Sequence, residues 1–331
     1  MWLKGDTHMH TNVSDGALPP EELLKKAKKR GFDFIMITDH NRHGAGNKSY
    51  YYEGMLVIPG EEVTQSKFGH LNIWGSGTPT MDGVRPETSD VYYEAANAAH
   101  ENGGFVSINH PFDKRFFWDV DLENFPADSY EVWNTVMHGD NMTAISWWHS
   151  QLLKGRRLPA VGGSDYHRDY YVTRLLGVPT TYVNAEEKTE ESIFKAIREG
   201  RVFITNSPNG GRITIEYGDK TIGDTATVND DTAVVLKISK LRKGMRAEIY
   251  NNDRLIYRHK AKTTGEHTAS VGHLMPGFVR AQITYDFSAF EKAVYKKIVA
   301  KVFPPDAGLP VPTFAYALTN PIWLTSSDEK G

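Results

Sequence analysis

Apolar runs of four or five residues alternate with amphipathic stretches from the start of the chain to about residue 205. Runs at 34–38, 55–59, 71–74, 105–109, 130–134 and 158–162 predict strands. The stretch 20–30 (PEELLKKAKKR) predicts a helix, with Pro near the first turn, acidic residues early, basic residues late and Gly31 as the stop. Stretches 88–102 and 141–154 predict two more, closed by Gly103-Gly104 and by Gly155. This alternation predicts an α/β fold with parallel strands and helices outside. In barrels of that kind the active site lies at the carboxyl ends of the strands.

The pattern changes near Ser207. SPNGG at 207–211 is a cluster of turn formers, and the runs at 212–217, 233–238, 247–251, 255–258 and 278–285 are short and alternating. They predict a smaller antiparallel β-sandwich-like domain over 206–331, following a first domain over 1–205. Within it, 287–303 predicts a helix, Pro304, Pro305, Pro310 and Pro312 a loop, and 314–325 a last strand.

Composition narrows the function. A net charge of −3 gives no reason to expect a nucleic-acid partner. No apolar run approaches the roughly 18 residues that would span a bilayer. The absence of cysteine removes disulfides, thiolate metal sites and cysteine nucleophiles together. The start, MWLKGDTHMHT, has no apolar signal core. A cytoplasmic location is therefore expected, with secretion after removal of a leader left open. The expected partner is a small-molecule substrate, and open strand edges allow a homodimer.

Nine residues able to ligate a metal stand at or next to the predicted strands: His8, His10, Asp15, His40, Glu62, His70, His110, Asp165 and His167. His8 and His10 are two apart, as are Asp165 and His167, and on a strand that spacing turns both side chains to one face. Singly, each has a bland reading as a strand-edge histidine or a turn aspartate. A ring of strand ends would bring all nine to one pocket. Imidazole and carboxylate together suit zinc, manganese or iron(II). Asp39 reads equally as an orienting group. Glu61 and Glu62 point to opposite faces of a continuing strand, and their spacing does not choose between them.

In order, HxH at 8–10, SDG at 14–16, TDH at 38–40, GxE at 60–62, HP at 110–111 and SDxH at 164–167 resemble the PHP superfamily, the polymerase and histidinol phosphatase domain, over about residues 1–205. The resemblance implies a distorted (β/α)7 barrel holding two or three divalent ions of manganese, zinc or iron. One ion would take His8, His10, Glu62 and Asp165; a second Asp15, His40 and His167; a third Glu62, His70 and His110. The resemblance thus selects Glu62 over Glu61. Some members carry histidine where this chain has Asp15, a change that favours oxygen-preferring metals. FVRAQITY at 278–285 and ALTNPIWLT at 317–325 resemble the carbaryl-hydrolase-type branch, which includes carbamate ester hydrolases.

The expected function is a metal-dependent phosphoesterase acting on a small phosphorylated molecule, with a hydroxide bridging two ions as nucleophile. Asp15, Glu62, Asp165 and His167 are the expected catalytic residues. Arg42, His43, Lys114, Arg115, His138 and Arg168 are the expected substrate contacts, with His43 and His138 as proton donors to the leaving group. Phe116, Phe117 and Trp118 form the candidate apolar wall, and Tyr166, Tyr170 and Tyr171 lie on the same loops. The same centre would also suit a carbamate, amide or carboxylic ester hydrolase. A non-catalytic metal-binding module is the third reading. His100, His149, His259, His267 and His273 read as structural or exposed.

Overall fold

The computed structural model describes residues 1–170, 173–302 and 313–326. Tyr171, Phe303 and the prolines at 304, 305, 310 and 312 lie outside the described residues. The first part comprises β1 (Trp2–Asp6), α1 (Pro20–Lys29), β2 (Phe34–His40), β3 (Tyr50–Tyr52), β4 (Met55–Gln65), β5 (Gly69–Trp74), α2 (Asp90–Glu101), β6 (Phe105–Asn109), β7 (Ser129–Asn134), α3 (Gly139–Leu153), β8 (Ala160–Gly163), β9 (Thr180–Asn184), α4 (Glu190–Arg198) and β10 (Val202–Thr205). There follow β11 (Ile213–Tyr217), β12 (Lys220–Thr221), β13 (Thr225–Thr227), β14 (Val234–Leu241), β15 (Arg246–Asn251), β16 (Arg254–Lys260), β17 (Gly265–Val271), β18 (Gly277–Asp286), α5 (Ala289–Val302), β19 (Thr313–Thr319) and β20 (Ile322–Thr325).

Seven strands form a ring. β1, β2 and β4 pair in parallel, as do β6, β7 and β8. β5 lies between the two groups, antiparallel to both β4 and β6. Only residues 66–68 join β4 to β5, too few for a crossover, so this step of the ring is a hairpin rather than a βα unit. A parallel bridge between Met9 and Tyr166 closes the ring just beyond β1 and β8. The strands β2 and β6 are buried throughout or nearly so, as expected of strands covered on both faces. Among the described residues no helix is long and apolar enough to cross a membrane.

The second part is built onto the first. β1 also pairs with β9, β9 with β10, and β10 with β19, all antiparallel. β19 continues into β18, which pairs with β15 and β20. Facing them is a separate sheet of order β12-β11-β14-β17. Ile213, Ile215 and Leu236 of that sheet share a core with Ile249, Ala281 and Ile283 of the other layer. One layer of this sandwich is therefore continuous with the ring's own sheet. The expected strand over 314–325 is divided into β19 and β20 at Asn320-Pro321. Pro321 has no N–H for a ladder, and the buried Asn320 side chain turns inward to bond Ala160 and Val202. The sequence pattern did not anticipate β3, β9, α4, β10, β12, β13 or β17.

Candidate metal centre

The Met9–Tyr166 bridge organises half of the site. Both side chains are buried in the apolar cluster beside α1. Side chains alternate along extended chain, so the flanking pairs, His8 with His10 and Asp165 with His167, turn the other way, toward each other. His10 Nε2 lies 3.2 Å from His8 Nε2 and 3.1 Å from Asp165 Oδ1. The His10 and His167 rings stack at 4.2 Å. Asp15 comes in on the loop after His10, with Oδ1 3.1 Å from His167 Nε2 and 3.6 Å from His40 Nε2. Asp39 shapes that loop: its carboxylate accepts from the Thr11 and Ser14 backbone N–H and from both hydroxyls.

Glu62 is the hub of the other half. His8 Nε2 (3.2 Å), His70 Nδ1 (3.1 Å) and His110 Nε2 (3.4 Å) surround its Oε1, and His40 Nδ1 lies 2.8 Å from Oε2. Glu61 faces the opposite side of β4 and accepts from Thr80 Oγ1 and Met81 N. The alternation that left these two carboxylates undecided in the sequence is resolved by which side of β4 faces the ring's open end.

All nine candidate ligands thus converge, in three groups: His10, Asp15, His40 and His167; His8, His10 and Asp165; and Glu62, His70 and His110. Within each group the ligand atoms lie within 4.8 Å of one another. Among the described residues, the buried atoms His10 Nδ1, His70 Nε2 and His110 Nδ1 have no hydrogen-bond partner. Buried nitrogens without partners are costly in a site that packs only protein. Together with an all-imidazole and carboxylate donor set, they fit a divalent metal centre.

The carboxylates and imidazoles of the site shift one another's protonation strongly. Burial opposes the charge on Glu62, but His70, His8 and His40 hold its pKa well below the usual carboxylate range. Asp165 is likewise held well below it, against burial, by His8, His10 and His167. Asp15 is lowered to about 2, burial being outweighed by His167. Burial, with the charges of His167 and His40, brings His10 down to about 4. The carboxylates are therefore ionised and His10 is neutral at pH 7, whereas, against burial, Glu62 raises His110 and Asp15 raises His167 to about 9, so a metal would have to displace protons from those imidazoles. Four residues at the cavity, Asn41, His110, Thr135 and Asp165, have φ of 52°, 26°, 47° and 48°. Such left-handed non-glycine residues concentrate at functional sites.

A cavity of about 430 Å³ opens over the centre. Arg85, Arg115 and Arg168 line it, with Phe116, Tyr166 and Tyr170 among the aromatic residues. Of the other expected substrate contacts, Arg42, His43, Lys114 and His138 do not line it. Arg42 is exposed and packs toward Gly83, His43 lies beside Thr78, and His138 precedes α3 as its N-cap residue, buried. Of the expected wall, Phe116 stacks on His70 at 4.9 Å, whereas Phe117 is exposed and Trp118 is buried against Tyr92 and Phe125. His100 pairs with Asp128, and His149 with Arg280. Sequence reasoning missed Arg85, which comes from a loop with no ligand nearby in sequence, and Glu131, a mid-strand carboxylate hidden within an alternating run.

Residues 6–108 match the PHP domain. That span carries six of the nine convergent residues, His8, His10, Asp15, His40, Glu62 and His70, whereas His110, Asp165 and His167 lie beyond it. An uncharacterized protein of Methanocaldococcus jannaschii, MJ1587, is 29% identical over 161 residues, 42% of this chain and 86% of the relative. The DNA polymerase/3′-5′ exonuclease PolX of Bacillus subtilis is 42% identical over 41 residues, which cover 12% of this chain and only 7% of the polymerase. Among solved structures, a two-domain protein of Bacteroides vulgatus, described as containing a predicted PHP-like metal-dependent phosphoesterase, superposes with a TM-score of 0.50 at 20% identity. The superposition covers 85% of this chain and 90% of that one, and shows a shared fold. None of these relatives supports the carbaryl-hydrolase-type branch.

Proposed function

We propose that this protein is a metal-dependent phosphoesterase acting on a small phosphorylated molecule. The observation that carries the reading is the convergence of six histidines and three carboxylates beneath one cavity. The PHP domain match, and the phosphoesterase named for the structural relative, support the choice of reaction. The ring of strands is read as a distorted (β/α)7 barrel over 1–205, carrying 206–331 as a second domain.

In this reading His8, His10, Glu62 and Asp165 hold one ion, Asp15, His40 and His167 a second, and Glu62, His70 and His110 a third. Manganese, zinc and iron all suit the donors. Divalent ions in such a site supply Lewis acidity and make water a stronger acid. The protein's own groups bind and orient the substrate. Asp113 grips the Arg115 guanidinium at two points, Nε to Oδ1 at 3.1 Å and Nη2 to Oδ2 at 2.8 Å, fixing its plane at the cavity wall. A guanidinium held in this way suits a phosphoryl oxygen. Arg85 and Arg168, both exposed, add positive charge at the mouth. Phe116, stacked on His70, offers an apolar face to the rest of the substrate.

Initial rates on p-nitrophenyl phosphate, bis-p-nitrophenyl phosphate and p-nitrophenyl acetate test the reaction class. Cleavage of a phosphate ester is expected, and the monoester-to-diester ratio reports the substrate class. Turnover of the acetate alone would move the assignment to carboxylic ester, carbamate or amide hydrolysis.

A further inference from the structure

Glu131 lies on β7, beneath the candidate metal ligands, and is buried. Its two oxygens serve different groups. Oε1 lies 3.0 Å from His8 Nδ1. Oε2 accepts from the His110 backbone N–H at 3.1 Å and from Asn134 Nδ2 at 3.0 Å. The contact with His8 exists because residue 163 is glycine: a Cβ there would sit 2.3 Å from His8 Cβ and 2.5 Å from Glu131 Oε1. β8 thus leaves a notch through which a carboxylate on β7 reaches an imidazole beyond β1.

We infer that Glu131 is a positioning residue that fixes the tautomer of His8 and couples it to the backbone at His110. The inference rests on the metal-centre reading above. With Nδ1–H donating to Glu131, the lone pair of Nε2 is directed at Glu62 and Asp165, whose nearest oxygens are 3.2 Å and 3.5 Å away. An imidazole whose second nitrogen donates to a carboxylate is also a better metal ligand. His110 belongs to a different ligand group from His8, so one carboxylate braces two groups at once.

The donor pattern makes glutamine a selective probe. Glu131 receives donors on both oxygens, and the His110 N–H cannot reverse its role. In Glu131→Gln the amide oxygen is therefore expected to face His110, with the NH2 facing His8 Nδ1. That arrangement requires Nδ1 to accept and moves the His8 proton to Nε2, the atom needed for the metal. Shape and volume change little, so a purely structural role predicts little effect on metal binding.

The test is zinc binding by the full-length protein, by calorimetry with competing chelator, for wild type and Glu131→Gln, with circular dichroism to show that both are folded. Zinc affinity is expected to fall about 10- to 100-fold in the variant. Equal affinity, within twofold, would overturn the inference and leave the metal-centre reading intact. A wild-type protein that takes up no zinc would overturn both. Should the variant not fold, long-range proton–nitrogen spectra of zinc-loaded wild type decide the matter: His8 Nδ1 carries the proton if the inference holds, and an unprotonated Nδ1 contradicts it.

Discussion

Met9 and Tyr166 form a single parallel bridge, with His10 N donating to Tyr166 O at 2.9 Å, and this pairing turns His8, His10, Asp165 and His167 to a common side. Two segments more than 150 residues apart in sequence are thereby held in register, with further bonds from Ser164 N and Oγ to the Asp6 carboxylate and from Ala17 N to His167 O. Tyr166→Ala would leave a cavity in the cluster beneath, at a cost of about 3–5 kcal/mol, and would loosen both ligand pairs. Thermal unfolding and zinc titration of the variant should fall together, whereas Tyr166→Phe, which loses only the bond from Lys26 Nζ, should retain metal affinity.

Glu61 and Glu62 give a contrast between adjacent residues of the same chemistry. Glu62→Gln removes the charge that five imidazoles surround and is expected to abolish stoichiometric metal uptake, read by elemental analysis after dialysis. Glu61 is buried away from the centre, and burial raises its pKa to about 7 despite bonds from Thr80 and Met81. Glu61→Gln should therefore keep the full metal content.

The junction between ring and sandwich depends on Asn320. Its Oδ1 accepts from Ala160 N at 2.8 Å, and its Nδ2 donates to Ala160 O at 2.8 Å and to Val202 O at 3.2 Å. Alanine at this position would strand buried backbone groups of β8 and leave one of β10 without this donor. A loss of about 2–4 kcal/mol is expected in denaturant unfolding, with little change in metal affinity.

His149 on α3 should make stability sensitive to acid. Burial, with the charge of Arg280, lowers its pKa to about 4, while an unfolded histidine titrates near 6.5. Its Nδ1 accepts from Arg280 Nε at 2.9 Å, which requires the neutral ring. Between about pH 6.5 and 4 the unfolded chain binds more protons than the folded one, so stability falls as pH falls through that window. The drop in melting temperature from pH 7 to 4.5 should be smaller in His149→Gln than in wild type.

Arg115 should act on substrate binding more than on turnover. Arg115→Lys keeps a positive charge but loses the two-point grip of Asp113. KM for a phosphate ester is expected to rise about tenfold, with kcat changing much less, in steady-state kinetics.

The ligands were legible in the sequence because most stand where an apolar run stops, with His70 at the start of one and Asp15 in the turn after His10, positions that the ring converts into a shared rim. Their neighbours in sequence were not. Arg42 and Lys114 lie two and four residues after the ligands His40 and His110, yet nearby residues on irregular loops diverge, and neither reaches the cavity. Phe116, Phe117 and Trp118 show the same divergence within three residues, facing His70, solvent and the core respectively. Glu131 lies in SYEVWN, where alternation alone gives no sign that a carboxylate faces inward. Its partner notch at Gly163 is a property of packing between β7, β8 and β1. The antiparallel strands β9 and β10, joined through α4, escaped notice because they pair with β1 and β19, far away in sequence.

The most direct test of the central claim is p-nitrophenolate release from p-nitrophenyl phosphate and its bis-ester before chelation, after chelation, and after return of manganese, in wild type and in the His8→Ala, Asp165→Ala double variant. The account predicts activity that chelation abolishes and manganese restores in wild type, and none in the variant. Activity that survives chelation, or that the double variant retains, would contradict it.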